Sequence, residues 1–138
     1  MSSRPKILLV DDDHDTLDLL EMILYKKYDI ITAMNGFEGL KKVDEETPDL
    51  IITDIMMPVM NGIRFFNSLK KSSVARNVPV VAITSFSREY PAKSLANMGF
   101  SGIIAKPSDK AAVIELLAKL LSRSKSPDTP APIEEPDL

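Results

Sequence analysis

The chain has 138 residues, a net charge of −3 and no cysteine, with 44% of its residues hydrophobic and 27% charged. That length suits one domain with a real core, and the acidic balance (pI near 5.2) argues against nonspecific binding to nucleic acid or anionic membrane. Without cysteine, and with one histidine, the chain offers no disulfide, zinc–thiolate or multi-histidine metal site, and no glycine-rich nucleotide loop is present.

In chain order, Lys6–Val10 (KILLV) is a short apolar run that stops at Asp11, as in a strand buried on both faces. Residues 15–25 place Leu17, Leu20, Ile23 and Leu24 at helical spacing. Residues 29–33 (DIITA) form a second strand. Residues 35–44 form a helix with Phe37, Leu40 and Val43 on one stripe. A third strand, 49–53, runs up to Asp54. Residues 62–71 carry Ile63, Phe66 and Leu69 three apart, a helix again. A fourth strand covers 78–83 and ends at Thr84 and Ser85. A weaker helix, 88–98, tolerates Pro91 in its first turn and ends at Gly99 in a left-handed cap. The fifth strand, 102–105, ends at Lys106. The last helix, 109–121, is capped by Asp109 and buries Val113, Leu116, Leu117 and Leu120.

Five strands alternating with five helices predict an α/β fold, a doubly wound parallel sheet with helices on both faces. The domain is expected over residues 1–121. Residues 122–138 hold Pro127, Pro130, Pro132 and Pro136 among Ser, Asp and Glu, and are expected to be a disordered, proline-rich tail or linker. No apolar stretch reaches membrane-span or signal-peptide length, so the cytoplasm is the expected location, with no membrane partner.

In such sheets ligands bind outside the carboxyl ends of the strands. Those ends offer Asp11, Asp12 and Asp13, then Asp54, Thr84 and Lys106. Clustered carboxylates repel one another unless a cation sits among them. Oxygen ligands without histidine or cysteine select Mg²⁺. An ammonium and a hydroxyl suit an incoming phosphoryl group, and an aspartate among them is equipped to accept it.

The motifs ILLVDD at 7–12, DIMMPVMNG at 54–62, VAITS at 81–85 and IAKP at 104–107 together resemble the receiver domain of response regulators in two-component signalling. Thr84 lies 30 positions after Asp54 and Lys106 lies 52 positions after it, as in that family. The resemblance covers about residues 5–121. It implies a flavodoxin-like sheet in the order 2-1-3-4-5 and a single receiver similar to chemotaxis regulators. Asp54 would accept a phosphoryl group from a sensor histidine kinase or a histidine phosphotransfer protein. Asp11, Asp12, Asp54 and the Met56 carbonyl would hold Mg²⁺, with Asp11 acting mainly through a metal-bound water. Thr84 would move toward the phosphoryl group, Lys106 would pair with it, and Lys106–Pro107 would be cis. The output would reach a downstream protein target or a fused output domain, by a change of surface around the fourth helix, fifth strand and fifth helix. Phosphotransfer and dephosphorylation of its own would be the chain's only catalysis.

Some positions depart from the family pattern. Ile103 stands where many receivers carry a switching Phe or Tyr, and Ser108 follows Pro107. Both fit an alternative, a pseudo-receiver that binds proteins without being phosphorylated. Met56 and Phe86, two residues beyond Asp54 and Thr84, take positions that flank the phosphoryl group and bear on its hydrolysis. The spacing Asp11-x-Asp13-x-Asp15 fails as a calcium loop, which needs Gly at Thr16 and Glu at Met22. It is also similar to haloacid-dehalogenase-type phosphatases, which have Thr or Val where Asp15 stands and would use Asp11 as nucleophile. His14 is expected to be an exposed residue opening the first helix. Met56, Met57 and Met60 form an adaptable apolar group beside the site. No basic recognition helix is present, so direct DNA binding is not expected.

Overall fold

The computed structural model describes residues 4–57, 59–85, 91–106 and 108–124. The elements alternate: β1 (Lys6–Val10), α1 (His14–Leu24), β2 (Asp29–Ala33), α2 (Gly36–Glu46), β3 (Leu50–Asp54), α3 (Gly62–Lys70), β4 (Val80–Thr84), α4 (Ala92–Met98), β5 (Gly102–Ala105) and α5 (Lys110–Ser124). All pairings are parallel and the order is β2-β1-β3-β4-β5, as the sequence predicts. The tail and the Lys106–Pro107 peptide bond lie outside the described residues.

Alternation along the strands splits the core in two. Leu8, Val10, Ile51, Val80 and Ala82 face α2, α3 and α4, together with Phe65, Phe66, Leu69 and Leu95. Ile7, Leu9, Leu50, Ile52, Val81 and Ile83 face α1 and α5, together with Leu17, Leu20, Leu24, Val113, Leu117 and Leu121. Four helices begin at side-chain caps: Asp13 accepts from Asp15 N–H, Asn35 from Glu38, Asn61 from Arg64 and Asp109 from Ala112. Each of these caps follows a strand's carboxyl end. Among the described residues no helix is long and apolar enough to cross a membrane.

The structure corrects several local expectations. Phe37 is 55% exposed and leaves the apolar stripe of α2. Val43 and Leu40 pack on the core as expected, and Gly36 and Gly39 face inward in place of Phe37. A β-carbon on Gly39 would lie 2.9 Å from the Phe65 ring, so the helix approaches through a glycine where a larger residue would hold it off. Phe65, fully buried, is the ring that fills this contact. The fourth strand starts at Val80, after Pro79, whose nitrogen cannot donate to the ladder. Its end shifts too, so Thr84 is the last strand residue. Pro91 stands at the N-cap of α4, one residue before the helix. Gly99 does end that helix at φ 113°. α5 continues to Ser124, three residues past the expected boundary, because no proline occurs before Pro127.

Candidate phosphoacceptor site

The register brings the candidate residues together. Val10 pairs with Thr53, so Asp11, the next residue, stands level with Asp54 at the carboxyl edge. Thr84 pairs with Ala105, and the Lys106 N–H donates to the Thr84 carbonyl at 2.9 Å. The strand order reverses between β1 and β3, the place where this fold class binds ligands.

Asp11, Asp54 and Thr84 are buried, whereas Asp12 is exposed. One carboxylate oxygen from each of Asp11, Asp12 and Asp54 lies within 4.8 Å of the other two. Lys106 Nζ stands 3.1 Å from Asp11 Oδ2 and 3.5 Å from Asp54 Oδ2. Asp11 Oδ1 accepts from the Asp13 N–H at 2.9 Å, and Asp54 Oδ1 from the Met56 N–H at 3.4 Å. The contact of Lys106 with Asp11 Oδ2 lacks hydrogen-bond alignment, and among the described residues that buried oxygen has no hydrogen-bond donor.

Two buried carboxylates face one ammonium, and the charges show it. Burial, with the charge of Asp11, pushes the Asp54 carboxyl up to about 6, against the pull of Lys106. Burial also raises Asp11, more than the Asp13 N–H and Lys106 lower it. Burial would lower Lys106, but Asp54 and Asp11 outweigh it and hold the ammonium charged. The pocket is short of positive charge by about one to two units. Hard oxygen donors, a deficit of cation and a buried carboxylate oxygen that has an ion pair but accepts no hydrogen bond fit a divalent ion such as Mg²⁺.

A model of the response regulator receiver domain family matches residues 7–118. The chain belongs to that family. Among curated receivers it is 35% identical to the transcriptional regulatory protein CpxR homolog of Haemophilus influenzae, over 88% of this chain and 52% of that protein. It thus spans about half the length of that regulator. It is 31% identical to the chemotaxis protein CheY of Halobacterium salinarum, over 85% of this chain and 97% of that protein. Among solved structures, the receiver domain of a Pseudomonas aeruginosa sensor histidine kinase shares the fold, with a TM-score of 0.79 at 21% identity over 87% of this chain and 99% of that one. That receiver has a magnesium ion coordinated in its active site cleft.

Other expected residues fall as follows. Met56 is 52% exposed, while Met57 and Met60 are buried. Met57 and Met60 pack into the core beside α3, and Met60 lies against Gly36. His14 is exposed. Ile103 packs, partly buried, on the α2–α4 side of the sheet. Ser108 is half-buried, and Phe86 lies outside the described residues. Two residues have roles that the sequence reading did not assign. Asp13 caps α1 and lends its N–H to Asp11. Gly62 lets α3 press against β3, since a β-carbon there would lie 2.2 Å from the Asp54 carbonyl oxygen. The Asn61–Gly62 pair before a helical pattern is the signal that marks it.

Proposed function

We propose that this receiver accepts a phosphoryl group on Asp54, from a sensor histidine kinase or a histidine phosphotransfer protein, with Mg²⁺ bound. The observation that carries this reading is that Lys106, alone among the described residues, faces two buried carboxylates, Asp54 at 3.5 Å and Asp11 at 3.1 Å, with Asp12 beside them. Asp11, Asp12 and Asp54, with the Met56 carbonyl, would hold the ion. Mg²⁺ supplies charge neutralisation for the phosphoryl oxygens.

The chain's residues do the rest. Asp54 Oδ attacks phosphorus, the new P–O bond forms, and the P–N bond to the donor histidine breaks. Its low-lying backbone, held by β3 and Gly62, fixes the direction of attack. Lys106 turns from the Asp54 carboxylate toward a phosphoryl oxygen, and the Thr84 hydroxyl donates to another. The rearrangement of Lys106 and Thr84, at the ends of β5 and β4, transmits the new charge to the surface that binds a downstream protein or a fused output domain.

Intact mass after incubation with Mg²⁺ and a small acyl phosphate or amidophosphate donor tests this. Wild type is expected to gain one phosphoryl group and Asp54→Asn none. An unmodified wild type that also fails to bind beryllofluoride, beside an active control receiver, would instead support the pseudo-receiver reading. A phosphoryl group on Asp11 would support the phosphatase-like chemistry.

A further inference from the structure

The far end of α1 and the first turns of α5 enclose a groove unrelated to the acidic pocket. Met22, Tyr25, Lys26, Lys27, Tyr28, Lys110 and Ile114 line it. Its apolar wall is open: Met22 is 69% exposed and Tyr25 53%. Its rim is basic, and Lys26, Lys27 and Lys110 have no ion pair among the described residues. A groove with an apolar floor and three unpaired ammonium groups fits an extended acidic segment with apolar anchors.

The chain carries such a segment. Residues 126–138 include no basic residue, and Asp128, Glu134, Glu135 and Asp137 are interleaved with Ile133 and Leu138. We propose that residues 133–138 seat in this groove, with the acidic side chains against Lys26, Lys27 and Lys110 and with Ile133 and Leu138 against Met22 and Tyr25.

The tether is long enough. α5 spans Lys110 to Ser124, about 22 Å at the helical rise. Eight residues separate Ser124 from Ile133. A proline-rich stretch of that length extends about 25 Å. It therefore reaches back to the level of Lys110. Tethering also supplies an effective concentration of about millimolar, so a weak contact suffices. A second copy or a separate acidic peptide lacks that advantage. The seated segment covers the exposed face of α1, and any partner of that face must displace it.

The test uses the full chain with methyl-labelled methionine, read by NMR. In wild type the Met22 methyl is expected to move on reversing the tail charges (Glu134→Lys with Glu135→Lys) and on raising salt, while Met60, buried beside Gly36, stays in place. Lys26→Glu with Lys27→Glu should move Met22 in the same way, and combining the two charge reversals should bring it back. A Met22 resonance indifferent to all these changes overturns the proposal. So does one that depends on protein concentration and persists in the tail variant, because a second copy would then cover the face.

Discussion

Lys106 lies nearer to Asp11 than to Asp54, 3.1 Å against 3.5 Å. One ammonium thus serves two buried carboxylates. Removing one partner of a buried pair costs about 3–5 kcal/mol, and the partial exposure of Lys106 reduces this to about 2 kcal/mol. Lys106→Met should therefore be destabilised by about that much at pH 8 without divalent ions, in urea unfolding. At pH 5 the loss should shrink, because Asp54 can then take a proton. Equal losses at both pH values would show that Lys106 stabilises by packing alone.

The raised carboxyl of Asp54 makes stability depend on pH in a particular direction. Unfolded, this group ionises near 3.8; folded, near about 6. Between those values the native state keeps a proton that the unfolded state has released, so stability falls as pH rises. The two-unit difference corresponds to about 3 kcal/mol, present below pH 4 and lost by the time pH has passed 6. In EDTA, wild type minus Asp54→Asn should show this decline, since the subtraction removes the contribution of every carboxylate outside this pocket. Saturating Mg²⁺ should offset it above pH 6, where the ionised carboxylate is available. A flat difference curve in EDTA would contradict the assignment.

Gly62 packs directly against the backbone of Asp54 and Ile55. A β-carbon there would meet the Asp54 carbonyl oxygen at 2.2 Å and the Ile55 Cα at 2.8 Å. Neither atom is a flexible side chain that can swing aside. Gly62→Ala should cost about 3 kcal/mol, the upper end of overpacking penalties. It should also weaken Mg²⁺ binding, because the displaced strand end carries Asp54. Calorimetric titration of Mg²⁺ against a variant shown to be folded separates the two effects. Unchanged stability would mean that the loop has room to retreat.

Much of this was legible from sequence for a physical reason. Strands buried on both faces read as unbroken apolar runs, and their ends are marked by the change to Asp11, Asp54, Thr84 and Lys106. The register then had no freedom to separate Asp11 from Asp54. What escaped depends on approach distance. Phe37 carries the helical period of a core residue, yet Gly36 and Gly39 draw α2 so close that it turns outward. A pattern of apolar residues records which face is buried only when side chains, rather than glycines, make the contact. The 3.1 Å contact between Lys106 and Asp11 escaped for a related reason, since spacing brings residues to one edge without ranking their distances.

Val59 has a left-handed backbone, φ 72°, which suits glycine or asparagine better than a β-branched residue. Its side chain is 71% exposed, so little burial offsets that strain. The conformation costs about 1–2 kcal/mol for such a residue. Val59→Asn should raise stability by about 1 kcal/mol, read as a higher urea midpoint with an unchanged slope. Val59→Gly should gain less, because glycine loses more chain entropy on folding. A destabilised Val59→Asn would show that contacts of the valine methyls outweigh the strain.

Met56, two residues beyond Asp54, is predicted to limit the access of water to a phosphoryl group there. Its N–H donates to Asp54 Oδ1 at 3.4 Å, and its apolar side chain is half exposed. A thioether neither orients nor activates water, whereas an amide at the same place can hold one by a hydrogen bond. A hydrogen bond of about 1 kcal/mol that strengthens toward the transition state raises a rate about fivefold. The phosphorylated Met56→Asn variant should therefore lose its phosphoryl group about fivefold faster than wild type. Following both by intact mass, after removal of the phosphodonor, gives the two half-lives. A half-life that is equal, or longer in the variant, would remove Met56 as the shield and leave the lifetime to the residues around Thr84.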